Sequence, residues 1–399
     1  MNKDEMNKAC RLLNDLISIY SPYFKEHEIS EFVYRRMMDI GANPVKQEVT
    51  EARDYNYKCA NVISTLNFDK AETILINAHM DTVYPTEGWT YPPLKGSLVD
   101  NEVYGLGSAD MKGGLVSLLL TLEECLKRIA EGMEPSFNVV FLASVDEEGP
   151  YSMGAKTFIR SKYADNVDFS IVLESTRGLS SSNLSFPAIA HGSRGCYLYE
   201  IKVTGKSAHA ADPASGANAI DAMAEIISGI KKIPLEKHEP FDDPVSNVIW
   251  INGGERALST PEKCSILVDF HVTPSEDPAR LKTRIAEMLR SLNLDAKTEV
   301  NYMKDDLGEP MIYNPYLLDR KNRYIDLLAK TCSKREGKVA FVTSMCVGDF
   351  NHFAGKGIPT VVLGPDGENL HRADEKVNLA DVVKLKDILT ELIFWKQLK

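Results

Sequence analysis

The sequence predicts an α/β fold in which a doubly wound, mostly parallel sheet is interrupted by a smaller second domain. Two observations carry that prediction. Short runs that are apolar on both faces alternate with helical stretches toward both ends of the chain, as strands covered on two sides by helices require. In the middle the rhythm changes to period-two alternation, the mark of a sheet with one wet face.

In chain order, Cys10, Leu13, Ile17 and Tyr20 recur at helical spacing, and Ile29, Phe32, Val33 and Met37 do the same, so two amphipathic helices come first. Runs rich in β-formers follow at residues 61–66, 73–77, 138–143 and 169–173, bounded by turn residues. A helix over 111–128 lies between the second and third; its apolar 115–126 stretch is core packing, and Glu123-Glu124 forms a solvated face. Residues 195–203 then alternate through Tyr197, Tyr199, Ile201 and Val203. A helix over 214–231, strands at 247–251 and 264–272, a helix at 278–292 and a strand at 298–303 complete the segment. That β-α-β-β-α-β order is the split βαβ arrangement of ferredoxin-like domains. It places an inserted domain at residues 192–304, with 1–191 and 305–399 forming one discontinuous α/β domain. A helix at 316–335, strands at 339–342 and 359–363, and a terminal helix from Leu379, with Phe394 and Trp395 docked on the sheet, end the chain.

Composition removes several function classes. With 399 residues and 44% hydrophobic content the chain fills sizeable cores, in roughly two to three domains. Lys+Arg 46 against Asp+Glu 57 gives −11, and no Lys/Arg-rich run offers the clustered cations that phosphate contacts need, so nucleic acid is excluded as a partner. The 7 cysteines are scattered without a CxxC pair, which argues against a disulfide framework and against a Cys-type zinc site and points to a reducing compartment. MNKDEMNKAC lacks a signal-peptide core, and the longest apolar runs fall short of the roughly 18 residues a membrane span needs. The expectation is a soluble, cytoplasmic protein with no membrane partner.

Chemistry concentrates just beyond the predicted strands. Residues 73–78 lead into His79-Met-Asp81, 138–145 into Asp146-Glu147-Glu148, 169–173 into Glu174, and 359–364 lead shortly to His371. Open α/β sheets bind ligands beyond the carboxyl ends of their strands, so these groups share one expected site. Two imidazoles with several carboxylates and no thiolate suit hard or borderline divalent metals, zinc above all. Asp81 shares a strand face with His79 and is placed to bond the ring nitrogen turned away from the metal. Glu147 and Glu148 point oppositely on an extended backbone, so one ligates while the other takes a proton from an activated water. Gly105-Leu-Gly-Ser-Ala-Asp-Met-Lys-Gly-Gly114 fits neither the dinucleotide nor the P-loop pattern and reads as a turn that places Asp110.

The motifs HMDTVYP, YGLGSADMKGG, SVDEEGP, IVLEST, GKSAHAADPASGANAI and LHRADEKV together resemble the zinc-dependent aminoacylase/carboxypeptidase superfamily, which includes acetylornithine deacetylase, succinyl-diaminopimelate desuccinylase and a bacterial carboxypeptidase acting on folates. The resemblance spans both domains. It implies a metallopeptidase fold with the inserted domain as lid and homodimer interface. It implies two divalent ions, zinc with cobalt or manganese as substitutes, bridged by Asp110, one also bound by His79 and Glu174 and the other by Glu148 and His371. Glu147 is then the general base, Asp81 orients His79, the peptide bond after Asp110 is cis, and His209 reaches the partner's active site to stabilise the tetrahedral oxyanion. The implied reaction is hydrolysis of an amide in an N-acyl amino acid or short peptide.

Two positions depart from that pattern. Leu258 stands where the family often has asparagine, and His271 where, after Asp269, it often has arginine; both commonly hold a substrate carboxylate. Arg194 and Arg256 are the remaining candidate anion binders. The departures motivate an alternative reading, a non-catalytic metal-dependent binding or regulatory protein on the same scaffold. A serine hydrolase is disfavoured because no G-x-S-x-G elbow is present. His27, His191, His238 and His352 read as hydrogen-bonded structural histidines, as does His271, whereas His209 reads as functional by resemblance.

Overall fold

The computed structural model describes residues 2–50, 58–179, 184–255, 258–305 and 308–397. The chain forms two compact units, Met1–Gly192 with Leu317–Ser344 and Gly348–Lys399, and Ser193–Tyr316 with Met345–Val347.

The first unit is a mixed α/β structure with a mostly parallel central sheet. Its strands lie in the order Val45–Thr50, Lys58–Leu66, Asn138–Ser144, Thr73–His79, Phe169–Val172, Thr360–Val362 and Ala188–Ser193, with Ala340–Ser344 also paired to the last. Asn138–Ser144, Thr73–His79, Phe169–Val172 and Thr360–Val362 run parallel, with His79 opposite Ser144, Asn77 opposite Val172 and Val362 also opposite Val172. The flanking pairs are antiparallel. Ile74, Leu75, Ile76, Val139, Phe141 and Ile171 are all buried, so the central strands bury both faces, as parallel strands must.

The first and last long helices begin where an asparagine caps them. Asn2 accepts the Asp4 N–H at the head of Lys3–Ser18, which buries Leu12, Leu13, Leu16 and Ile17. Asn378 accepts the N–H groups of Ala380 and Asp381 to start Leu379–Ile393. The apolar Gly113–Ala130 helix packs against both. The helix expected over 316–335 instead covers Arg323–Glu336, because Asn322 accepts the Tyr324 N–H and starts it there, while Tyr316–Leu317 is extended. A small antiparallel sheet of Gly367–Glu368, Lys376–Asn378, Glu102–Tyr104 and Ser97–Val99 ties the 367–378 segment to the strand pair at 97–104.

The second unit contains strands Gly195–Thr204, Val245–Gly253, Lys263–Val272 and Lys297–Tyr302 and helices Ala219–Ile230 and Pro278–Ser291, in the chain order β-α-β-β-α-β. Gly195–Thr204 and Lys263–Val272 are the inner strands of a sheet in which these four pair antiparallel. Tyr197, Tyr199, Ile201 and Val203 join Ile266, Val268, Phe270 and Val272 in one core with Met223, Ile226, Leu281 and Ile285 from the helices. The intervening residues, Cys196, Asp269 and His271 among them, occupy the opposite face by the period of the strand. Among the described residues no helix is long and apolar enough to cross a membrane.

One close approach governs how the sheet end meets the Gly113–Ala130 helix. A Cβ at Gly114 runs into the backbone carbonyl oxygen of Leu173, at the end of Phe169–Val172 and next to Glu174. Gly114→Ala is expected to cost about 1–3 kcal/mol of stability, as overpacking does. A urea midpoint equal to wild type would contradict this packing.

Candidate metal centre

Three neighbouring parallel strands, Asn138–Ser144, Thr73–His79 and Phe169–Val172, deliver site residues at their carboxyl ends, the position where such sheets bind ligands. His79, the last residue of Thr73–His79, turns Nε2 toward Asp110 Oδ1 at 3.1 Å, Glu174 Oε1 at 3.4 Å and Glu147 Oε2 at 3.8 Å. Its other ring nitrogen, Nδ1, lies 3.1 Å from the Asp81 backbone oxygen and 3.5 Å from the Asp81 carboxylate. His371 Nε2 lies 3.1 Å from Asp110 Oδ2 and 3.0 Å from Glu148 Oε2. The two oxygens of Asp110 therefore face different histidines. His79, Asp110 and Glu174 form one set of donor atoms and Asp110, Glu148 and His371 a second, each set within 4.8 Å.

Asp110 is held by backbone geometry. Gly107 takes φ +73°, the left-handed region that glycine enters without penalty, and the Lys112 N–H closes a wide turn onto the Gly107 carbonyl at 2.7 Å. The Asp110–Met111 peptide is cis. The Glu375 carboxylate accepts the N–H groups of Gly107, Ala109 and Asp110 at 2.7, 2.8 and 2.9 Å, which fixes the loop from beneath. Buried Lys112 donates to the carbonyls of Leu16 and Ile19, anchoring the same loop to the end of the first helix.

The Glu147-Glu148 pair does not lie on an extended backbone as expected. Asp146 at φ +57° turns the chain out of the Asn138–Ser144 strand, so both carboxylates reach the cluster from a bend. Asp81 Oδ2 accepts the Glu148 N–H at 2.8 Å while the same carboxylate faces His79, so Asp81 couples the two donor sets. Asp146 is itself fixed by its N–H to Glu26 and by accepting the Met153 N–H.

The electrostatics fit a cation. Burial pushes the Glu147 carboxyl well above its ordinary range, Glu148 up to about 8 and Glu174 up to about 7, with neighbouring carboxylates adding to each. Burial also pushes Asp110 upward, but the hydrogen bonds from His371 and His79 outweigh it and hold the carboxyl well below the usual range. Hydrogen bonds to Asp110 and Glu148 raise His371 to about 11; burial opposes the rise of His79, and bonds to Asp110, Asp81 and Glu174 overcome it. The Nε2 atoms of two imidazoles thus sit where carboxylates converge, an arrangement of donors that suits a divalent ion once the ligands release their protons. Carboxylate and imidazole donors of this kind suit zinc.

His79, Asp81, Asp110, Glu147, Glu148, Glu174 and His371 all lie in this cluster. Arg194 and His209 belong to the second unit: Arg194 is buried, and His209 is exposed in a segment bridged to Ser259, with Nδ1 accepting the Ala211 N–H. Arg256 lies outside the described residues. Leu258 is 85% exposed. His191 bonds the Leu318 carbonyl and His238 the Ser275 hydroxyl, and neither belongs to the two donor sets. Sequence reasoning missed Glu375, Lys112 and Asp349, the last accepting from Ser144 at 2.6 Å. Glu375 and Lys112 lie inside the LHRADEKV and YGLGSADMKGG motifs, the one available signal.

Glu375→Gln replaces one of the oxygens that receive the loop's N–H groups with an NH2 group, which donates and cannot accept. It is expected to weaken divalent-metal binding about 10–100-fold, as loss of a ligand-orienting group does. Competition with a chromophoric chelator measures this, and unchanged affinity would remove Glu375 from the site's support.

Residues 75–394 match the sequence profile of Peptidase family M20/M25/M40. The chain is 28% identical over 323 residues to a succinyl-diaminopimelate desuccinylase of Hydrogenovibrio crunogenus, covering 79% of this chain and 81% of that protein. It is 28% identical over 329 residues to an acetylornithine deacetylase of Buchnera aphidicola, covering 80% of each. Its fold is similar to that of a dinuclear metal-binding peptidase of the M20 family from Bacillus subtilis, with TM-score 0.71, 16% identity and 99% of each chain covered. A match across most of the chain, together with full-length similarity of fold, makes this protein a member of Peptidase family M20/M25/M40.

Proposed function

We propose that the protein is a metal-dependent hydrolase of an amide bond in an N-acyl amino acid or short peptide. The observation that carries this reading is the pair of donor sets sharing Asp110, with Glu147 beside them and outside both. His79, Asp110 and Glu174 would hold one divalent ion and Asp110, Glu148 and His371 the other, zinc with cobalt or manganese as substitutes. Such ions, when bound, polarise an amide carbonyl and lower the pKa of the attacking water. The Asp81 backbone carbonyl oxygen accepts from Nδ1 of His79, with the Asp81 carboxylate 3.5 Å from the same nitrogen, which fixes the tautomer that leaves the Nε2 lone pair facing the cluster. Glu147 takes the proton from the attacking water and hands it to the leaving amine; burial raises its pKa, which suits a carboxylate that must carry a proton and give it up again.

The names of the two sequence relatives support an acyl-amino-acid substrate, and those relatives remove different acyl groups. We read residues 1–191 and 305–399 as the catalytic domain and 192–304 as an insertion that serves as lid and homodimer interface. The division of the chain near residue 192 supports the first boundary, whereas 305–316 and 345–347 group with the second unit. Arg194 and Arg256 are the candidate carboxylate binders on that insertion, and exposed His209 is the candidate oxyanion donor to a partner subunit.

A mass-spectrometric screen of acetyl-, succinyl- and formyl-amino acids and dipeptides, with zinc or cobalt and against a chelated control, tests the reading. Metal-dependent cleavage is expected; silence across the panel with metal bound would favour the binding-protein alternative that the departures at Leu258 and His271 motivate. Glu147→Gln is expected to lower kcat by 10²–10⁴-fold while metal stoichiometry is kept, and a loss under about tenfold would exclude Glu147 as the base. Mixing inactive His209→Ala with inactive Glu147→Gln chains is expected to restore activity in heterodimers. No recovery under demonstrated subunit exchange would place His209 outside the reaction.

A further inference from the structure

A second constellation of metal-binding side chains lies in the second unit, apart from any residue used above as ligand or base. Cys196 and His271 are directly opposite partners on the antiparallel Gly195–Thr204 and Lys263–Val272 strands, and Asp269 is two residues before His271, on the same face of the sheet. Asp269 Oδ1 lies 3.1 Å from Cys196 Sγ and 3.0 Å from His271 Nδ1, and one donor atom from each of the three residues falls within 4.8 Å of the others. Cys196 is buried, while the Asp269 and His271 side chains are 18% and 25% exposed, leaving a path for an ion from solvent. Both strands are flanked on either side by other strands, so the three Cβ positions sit on a backbone that pairing holds rigid.

We propose that Cys196, Asp269 and His271 form a zinc site of the second unit, with water as the fourth ligand. Thiolate, imidazole and carboxylate are the donor types zinc takes, and a tetrahedral ion at its usual bond lengths separates its donors by roughly 3.3–3.6 Å. The two short edges of the trio need open by only a few tenths of an ångström to admit it. Binding forms the Sγ–Zn bond as the Cys196 thiol gives its proton to solvent, and His271 ligates through the Nδ1 lone pair with its proton on Nε2. Burial and the Asp269 carboxylate keep that thiol protonated in the metal-free protein, so zinc uptake releases one proton. The ion ties the two inner strands of the sheet at their paired ends.

Cobalt(II) added to the full-length, metal-free protein tests the site independently of the proposed hydrolysis, because the donors around Asp110 include no thiolate. A near-ultraviolet thiolate-to-cobalt charge-transfer band is expected, saturating at one sulfur-bound cobalt per chain, with three metals bound in total. Cys196→Ser is expected to lose the band and one equivalent of metal while retaining the other two, and His271→Gln to weaken the sulfur-bound cobalt by at least about tenfold. Cobalt bound to wild type without the band would overturn the proposal even if neither variant folds. A band that persists in Cys196→Ser would overturn it too, since another of the cysteines would then be the ligand.

Discussion

A single buried carboxylate, Asp110, is the group on which the first unit's site depends. Each of its oxygens faces a histidine, one at the end of a central strand and one from a segment more than 250 residues later in the chain. A buried anion is costly unless paired, so every element that contributes to the pairing must arrive within about half an ångström of its place. The Glu375 cradle, the Lys112 anchor and the glycine turn at Gly107 all serve that one placement.

The sheet supplies the rest. Parallel order puts the carboxyl ends of adjacent strands side by side, and three of them, Asn138–Ser144, Thr73–His79 and Phe169–Val172, deliver cluster residues at the same edge. Burial of both sheet faces makes those strands rigid, which is what a site built from short carboxylate–imidazole distances requires. The small antiparallel sheet at 97–104 and 367–378 does the same for His371 and Glu375, which sit on the short connection between two of its strands.

The second unit follows a different rule. Its antiparallel sheet buries one face under two helices and leaves the other for polar groups, so its strands alternate where those of the first unit do not. That alternation is what puts Cys196, Asp269 and His271 on one surface, although nothing in their spacing along the chain marks them as a group.

Local pattern determined the α/β class, the amphipathic helices, the β-α-β-β-α-β order and the positions of His79, Glu147, Glu148 and Glu174 just past apolar runs, because strand ends and periodicity are properties of neighbouring residues. The same local reading marked His371 and the glycine turn that places Asp110, and the motif resemblance added that the two share one metal, a pairing that spans 261 positions and leaves no periodic trace. Tertiary structure alone decided that Glu375 holds the Asp110 loop through three backbone N–H groups 265 to 268 residues away, and that Asp81 joins the two donor sets through the Glu148 N–H. It likewise decided that Asp146 bends the chain, and that the helix expected from residue 316 starts at Arg323. These are hydrogen bonds and cap geometries that exist only once distant segments meet, and a hydrophobic pattern carries no record of which backbone N–H a buried carboxylate will find.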